Sequence, residues 1–199
     1  MDATRNYASK RILTVILGTT LWLGVAFTNV AYAAEPNWEE IRAMLAEGTG
    51  YFAPASAVVT DPDSAVESTG TSLQSSGCKF KTGADNPHRS STGFAVSAHG
   101  WWEEKSRPKG QCPEFADVEA WLHVVWCDIL TGCRWVLLDN QEKRVREGGG
   151  SNKRTTVRYD CASSEVVGYR IKVDVDLVNA PDLPNWVTRK SDVRCYPGI

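Results

Sequence analysis

The chain has 199 residues, of which 42% are apolar and 23% charged, with a formal net charge of −2. That is enough material for one ordinary domain with an appendage. The charge balance disfavours generic binding to nucleic acid or to an anionic membrane, which recruit basic surfaces.

The first element in chain order is an export signal. Arg5, Lys10 and Arg11 precede the apolar stretch Ile12 to Phe27, and Asn29-Val30-Ala31-Tyr32-Ala33-Ala34 follows. Small residues at Ala31 and Ala33 make the A-x-A pattern that a signal peptidase reads. Residues 1–33 are expected to be removed, leaving a secreted chain that starts at Ala34 with no stable membrane insertion. An uncleaved anchor is the competing reading. The stretch carries Thr14, Gly18, Thr19, Thr20 and Gly24, and it is short for a span of ~20 apolar residues. The leader holds three cations and one carboxylate, so 19 basic and 23 acidic residues remain, a net of −4.

Residues 34–50 carry a helix pattern. Asn37 is placed to cap it, with Glu40 three residues later as in a capping box. Trp38, Ile41 and Leu45 share one helical face, and Gly48 and Gly50 end the run. Residues 51–77 are rich in Ala, Ser, Thr, Gly and Pro and show neither period, so they read as a flexible linker.

Residues 78–199 read as a β domain. Thr92 to Trp102, Val118 to Trp126, Arg134 to Leu138, Arg154 to Cys161 and Val187 to Cys195 are strand candidates. Val167, Tyr169, Ile171, Val173, Val175 and Leu177 alternate with Gly168, Arg170, Lys172, Asp174 and Asp176. A strict period of two gives one buried and one wet face, as in antiparallel sheets. A single sheet would leave its apolar face bare, so a second must pack on it. The expectation is an all-β, antiparallel β-sandwich or small barrel of about six to eight strands.

Cys78, Cys112, Cys127, Cys133, Cys161 and Cys195 all follow the leader. An even number in an exported chain reads as a disulfide framework. Sequence leaves the pairing open. Chain proximity favours Cys78–Cys112, Cys127–Cys133 and Cys161–Cys195, and the short turn 128–132 supports the middle pair. A zinc site lacks the usual Cys-x-x-Cys pair.

His99-Gly100-Trp101-Trp102, Gly148-Gly149-Gly150, Lys153-Arg154 and Val173-Asp174-Val175-Asp176-Leu177 resemble a group of small, uncharacterised exported proteins of actinobacteria. The resemblance covers roughly residues 78–197. It implies export and a disulfide-bonded β domain, and it carries over no activity and no site residues.

Four groups of side chains are candidates for function. Trp102 and Trp126 share the phase of aliphatic residues and belong to the core, whereas Trp101, Trp121 and Trp135 take the opposite phase. Exposed rings there suit sugar faces or a protein interface; the plain alternative is core filling. His99 and His123 are in phase with Trp101 and Trp121, and if their strands pair they approach as metal ligands, with His88 as a third; hydrogen bonding at the sheet surface is the plainer reading. Asp174 and Asp176 share a strand face, near Asn179 and Asp182, and offer oxygens for Ca²⁺. The competing expectation pairs them with Arg and Lys on adjoining strands. Lys143, Arg144, Arg146, Lys153, Arg154 and Arg158 make a basic hairpin around a glycine loop, suited to an acidic polymer or protein, or to deterring edge pairing. No Gly-x-Ser-x-Gly elbow is present.

These readings converge on a secreted, non-catalytic binding module with no cofactor. Its expected surface combines Trp101 and Trp121 with Lys143, Arg144, Arg146, Lys153 and Arg154. Its partner would be an envelope polymer or a protein, not nucleic acid. The alternatives are a hydrolase using His99 or His123 as base, and a cell-surface component that self-associates through an open strand edge.

Overall fold

The computed structural model describes residues 37–58, 72–75, 77–180 and 186–198, all within one compact unit, Glu35–Ile199. The leader expected at 1–33, the middle of the expected linker at 59–71, and Asp182 lie outside the described residues.

Helix α1 spans Trp38–Glu47. Asn37 caps it: its Oδ1 accepts the Glu40 N–H at 2.9 Å. Gly48 ends it at φ 68°, a conformation glycine adopts without a Cβ penalty. Ile41 is fully buried, and Trp38, Met44 and Leu45 pack beside it against the sheet.

Among the described residues nine strands follow: β1 Gly50–Phe52, β2 Ser72–Ser75, β3 Cys78–Ala84, β4 His88–Arg89, β5 Ala95–Glu104, β6 Phe115–Asp128, β7 Gly132–Arg146, β8 Thr155–Leu177 and β9 Val187–Pro197. Every pairing is antiparallel. The strands form two faces joined through β8. Its first part pairs β5, and β5 also pairs β3 and β4. Its later part lies between β6 and β9, and β6 also pairs β7 and β1. Strands that switch sheets this way bend at irregular registers, and β8 has two such shifts against β9 between Cys161 and Val166. The strands expected at 154–161 and 167–177 are therefore one strand of 23 residues. Residues 162–166 hid the continuity, because they are exposed or half-exposed and carry no apolar alternation.

The core lies between the two faces. Val96, Ala98 and Trp102 of β5 meet Val118, Ala120, Leu122, Val124 and Trp126 of β6, and Tyr169, Ile171 and Val173 of β8. Gly100 sets the separation: a Cβ there would lie 2.6 Å from Val173 Cγ1. Two of the large polar side chains in the core find backbone partners for their buried tips. Trp102 Nε1 donates to the Val145 carbonyl at 3.2 Å, and the Tyr169 hydroxyl donates to the Cys195 carbonyl at 2.6 Å.

The linker expected at 51–77 is corrected at both ends. Phe52 and Ala53 are buried, β1 pairs β6, and β2 pairs β3. Residues 53–58 lie on the outer face of β6, where Ala53 joins Val125, Cys127 and Trp135 in a second small cluster. Strands of three and four residues are too short to show a period.

The disulfides join Cys78 to Cys112, Cys127 to Cys133 and Cys161 to Cys195. These are the pairs that chain proximity favoured. In the chain-entropy account, each 34-residue closure restricts the unfolded chain by about 4 kcal/mol and the six-residue closure by about 2. Disulfides of this kind persist in oxidising compartments. Among the described residues, no helix is long and apolar enough to cross a membrane.

Candidate functional site

The alternation of β5 decides what faces outward. Val96, Ala98, Gly100 and Trp102 point into the core, so Ser97, His99, Trp101 and Glu103 line the outer face. Register then supplies their neighbours. Ser97 stands between His88 of β4 and Arg158 of β8, and His99 stands opposite Thr156. The chain leaves β3 at Ala84, and the Asp85 N–H donates to the His99 carbonyl at 3.2 Å, which brings the Asp85 side chain beside His99.

Asp85 grips His99 at two points. Its Oδ1 accepts the His99 backbone N–H at 2.6 Å, and its Oδ2 lies 2.6 Å from Nδ1. A carboxylate only accepts, so Nδ1 donates, and the neutral ring keeps its lone pair on Nε2. His88 holds its own ring by donating Nδ1–H to the Asn86 carbonyl at 2.9 Å. The two rings lie 5.5 Å apart between centroids, and His88 Nδ1 is 4.0 Å from Asp85 Oδ2. One ligand atom from each of Asp85, His88 and His99 falls within 4.8 Å of the others.

These residues form one wall of an open cleft of about 370 Å³. Arg154, Thr156 and Arg158 form the opposite wall, and Ser90, Ser91 and Thr92 close one side. Arg158 donates to Ser90 Oγ and Thr92 Oγ1, both at 3.4 Å, and its Nε lies 3.8 Å from Asp160. Gly93 makes room for that guanidinium, since a Cβ there would lie 2.4 Å from it. Among the described residues no carboxylate pairs with Arg154. Among the described residues Asp85 is the one carboxylate lining the cleft, and His99 already engages it.

The surface expected to unite Trp101, Trp121 and the basic hairpin is not one surface. Trp101 lies on the outer face of β5, over Gly83 and beside Gly149, with Nε1 donating to Glu103 at 3.2 Å. Trp121 lies on the outer face of β6, on the other side of the sandwich, 4.8 Å from the Trp186 ring, which Lys172 caps at 4.6 Å. Trp135, on that same side, is buried under Arg170. The hairpin is also dispersed. Arg144 forks onto Asp117 at 2.8 and 2.7 Å and holds that carboxyl below its usual range. Arg146 pairs with Glu114 at 2.6 Å and covers the Phe115 ring. Lys143 and Lys153 are exposed, and of the hairpin cations Arg154 and Arg158 line the cleft.

The condition under which His99 and His123 would approach as metal ligands is not met. Their strands do not pair, and His123 sits between Leu137 and Arg170 on the far face. His88 does reach His99. Asp174 and Asp176 share a face as expected, but their neighbours across to β6 are Glu119 and Asp117. Burial first, then Glu142 and Asp174, push the Glu119 carboxyl up.

Sequence reasoning missed Asp85, Ser97 and Thr156. The available signal was Asp85-Asn86-Pro87-His88, a turn carrying two ligand types before a strand that bears a third.

No family model and no curated protein matches the chain. Among solved structures, the CARDB domain of a Pyrococcus furiosus protein, solved with di-metal ions, is similar over 62% of this chain and 94% of its own. The identity is 11% and the TM-score 0.33. A β-glucosidase from Listeria innocua, solved with gluconolactone, is similar over 60% of this chain at 12% identity and a TM-score of 0.29. This chain spans 16% of that enzyme. Likeness of this degree says nothing of ligand or activity.

Proposed function

We propose that this is an exported binding module that holds an anionic group of its ligand in the cleft between β4, β5 and β8. The observation that carries the reading is the convergence of Arg154 and Arg158 with His88, His99 and a ring of hydroxyls around a space whose one carboxylate is already engaged. Guanidinium forks match the oxygens of phosphate, sulfate and carboxylate. Serine and threonine hydroxyls supply further donors to the same oxygens. The leader pattern and the three disulfides support export. The ligand is expected at the cell envelope or in the medium, as a phosphorylated, sulfated or carboxylated polymer or protein.

Chemical-shift mapping of the oxidised chain with inorganic phosphate as probe tests the assignment. Shifts concentrated on Ser97, Thr156 and Arg158 are expected. Shifts confined to Lys143, Arg146 and Lys153 would move the binding surface back to the hairpin.

A second reading rests on the Asp85–His99 pair, which orients an imidazole as a general base is oriented in hydrolases. Among the described residues, no hydroxyl hydrogen-bonds to His99, and every cysteine is oxidised. In this reading the nucleophile is a water. Hydrolysis of an ester or glycoside that vanishes in His99→Gln would establish the enzyme over the binding module.

A further inference from the structure

We propose that Asp85, His88 and His99 are a three-ligand site for a divalent metal ion of the zinc class, with its remaining position open to the cleft. The inference deepens the cleft reading by giving the bound anion a second point of attachment.

The donor set is the first argument. Two imidazoles and a carboxylate form the ligand set of open zinc sites, in which water or a bound molecule takes the last position. The geometry is the second. The three ligand atoms already lie within 4.8 Å of one another, although they come from three separate pieces of chain: the end of β3, the two-residue β4, and β5. The third is the support behind each ligand. Asp85 Oδ1 is fixed by the His99 backbone N–H, so Oδ2 stays in place when the ion replaces the proton it shares with His99 Nδ1, and His99 itself is a buried ring within the sheet. Groups behind the ligands that fix them in this way are what raise metal affinity. His88 is the half-exposed member, and its Nδ1 is hydrogen-bonded to the Asn86 carbonyl at 2.9 Å. The six thiols are all in disulfides and offer no thiolate ligands.

The charge of the cleft sets a condition on this site. Arg154 and Arg158 oppose a bare cation, and an anion seated between them offsets that opposition. Metal and anion are therefore expected to strengthen one another, and linkage requires the effect to be reciprocal.

Isothermal titration of the oxidised, leader-free chain with ZnCl₂, in buffer without phosphate, tests the metal site by itself. One ion per chain is expected, with binding weakened more than tenfold in His88→Gln and unchanged in His123→Gln, which lies on the other side of the sandwich. His88→Gln is the decisive variant, because its exposed side chain leaves the fold intact. Imidazole nitrogen shifts on His88 and His99 should report the ligation directly. No stoichiometric binding, or equal binding by His88→Gln and the parent chain, would overturn the site. A phosphate titration in the presence of a chelator runs beside it. Zinc binding without phosphate binding would remove the anion reading and leave the metal site. Phosphate binding without zinc binding would do the reverse.

Discussion

At the residue scale, each outer face of the sandwich brings some like charges together. The face of β5 and β8 gathers Arg154, Arg158, His88 and His99. On the other face, Glu119 stands directly between Glu142 of β7 and Asp174 of β8. Like charges in such a row favour the protonated form, and with burial they hold the Glu119 pKa above its ordinary value. A carboxyl raised in the fold costs stability above its folded pKa and costs nothing below its unfolded pKa. Glu119→Gln is therefore expected to stabilise the protein at neutral pH. That advantage should shrink as pH falls through the folded pKa. Urea unfolding of both chains at about pH 7.5 and about pH 4 checks it; a variant less stable at the higher pH would contradict the reading. The outward phases of Trp101, Trp121 and Trp135 were readable from alternation alone. Asp85 was not, because a residue in a turn has no phase and its role depends on which strand passes beside it.

At the element scale, close backbone approach is what seats the chain after β1. Gly168 of β8 donates its N–H to the Ala53 carbonyl at 2.8 Å, and Ala55 N–H donates to Asp192 at 2.7 Å. A Cβ on Gly168 would lie 2.1 Å from the Ala55 nitrogen and 2.7 Å from the Pro54 carbonyl carbon, all backbone that cannot swing aside. Gly168→Ala is expected to cost about 1–3 kcal/mol, as overpacking does. Hydrogen exchange at the Ala53 amide should accelerate beyond that of the core strands. Protection equal to the parent chain would show that residues 53–58 do not depend on this contact. Gly83 is a useful contrast. The clash there is with the Trp101 ring at 2.4 Å, a side chain that can move. Composition concealed all of this: Ala, Ser and Pro between 53 and 58 look like a linker, and the glycine in β8 is what lets them lie directly against the sheet. The edge chemistry was more readable. Among the described strands β7 pairs β6 alone, and its exposed Glu142, Lys143, Arg144 and Arg146 deter strand-to-strand association.

At the scale of the whole molecule, a period of two tells which residues share a face but not which sheet the face belongs to. Trp101 and Trp121 share an outward phase, as do His99 and His123, and in each pair the two sit on opposite sides of the sandwich. The long strand β8 is responsible. It passes from one sheet to the other, so β5 and β6 become facing layers rather than neighbours. The same passage brings Thr156 and Arg158 beside β5 and completes the cleft. The disulfides close separate regions of this frame: Cys78–Cys112 ties β3 to the chain after β5, Cys127–Cys133 ties β6 to β7, and Cys161–Cys195 ties β8 to β9. A scaffold braced in this way needs only one well-made surface to act as a binding module, and the Arg154–Arg158 wall is the surface we propose.

The most direct measurement is calorimetric titration of inorganic phosphate into the oxidised chain and into the Arg154→Gln, Arg158→Gln double variant. Loss of the two guanidiniums is expected to weaken binding at least tenfold, about 1.4 kcal/mol, with the thermal midpoint of the fold nearly unchanged. Equal affinity in the two chains, or no binding by either, would contradict the assignment of the cleft as an anion site.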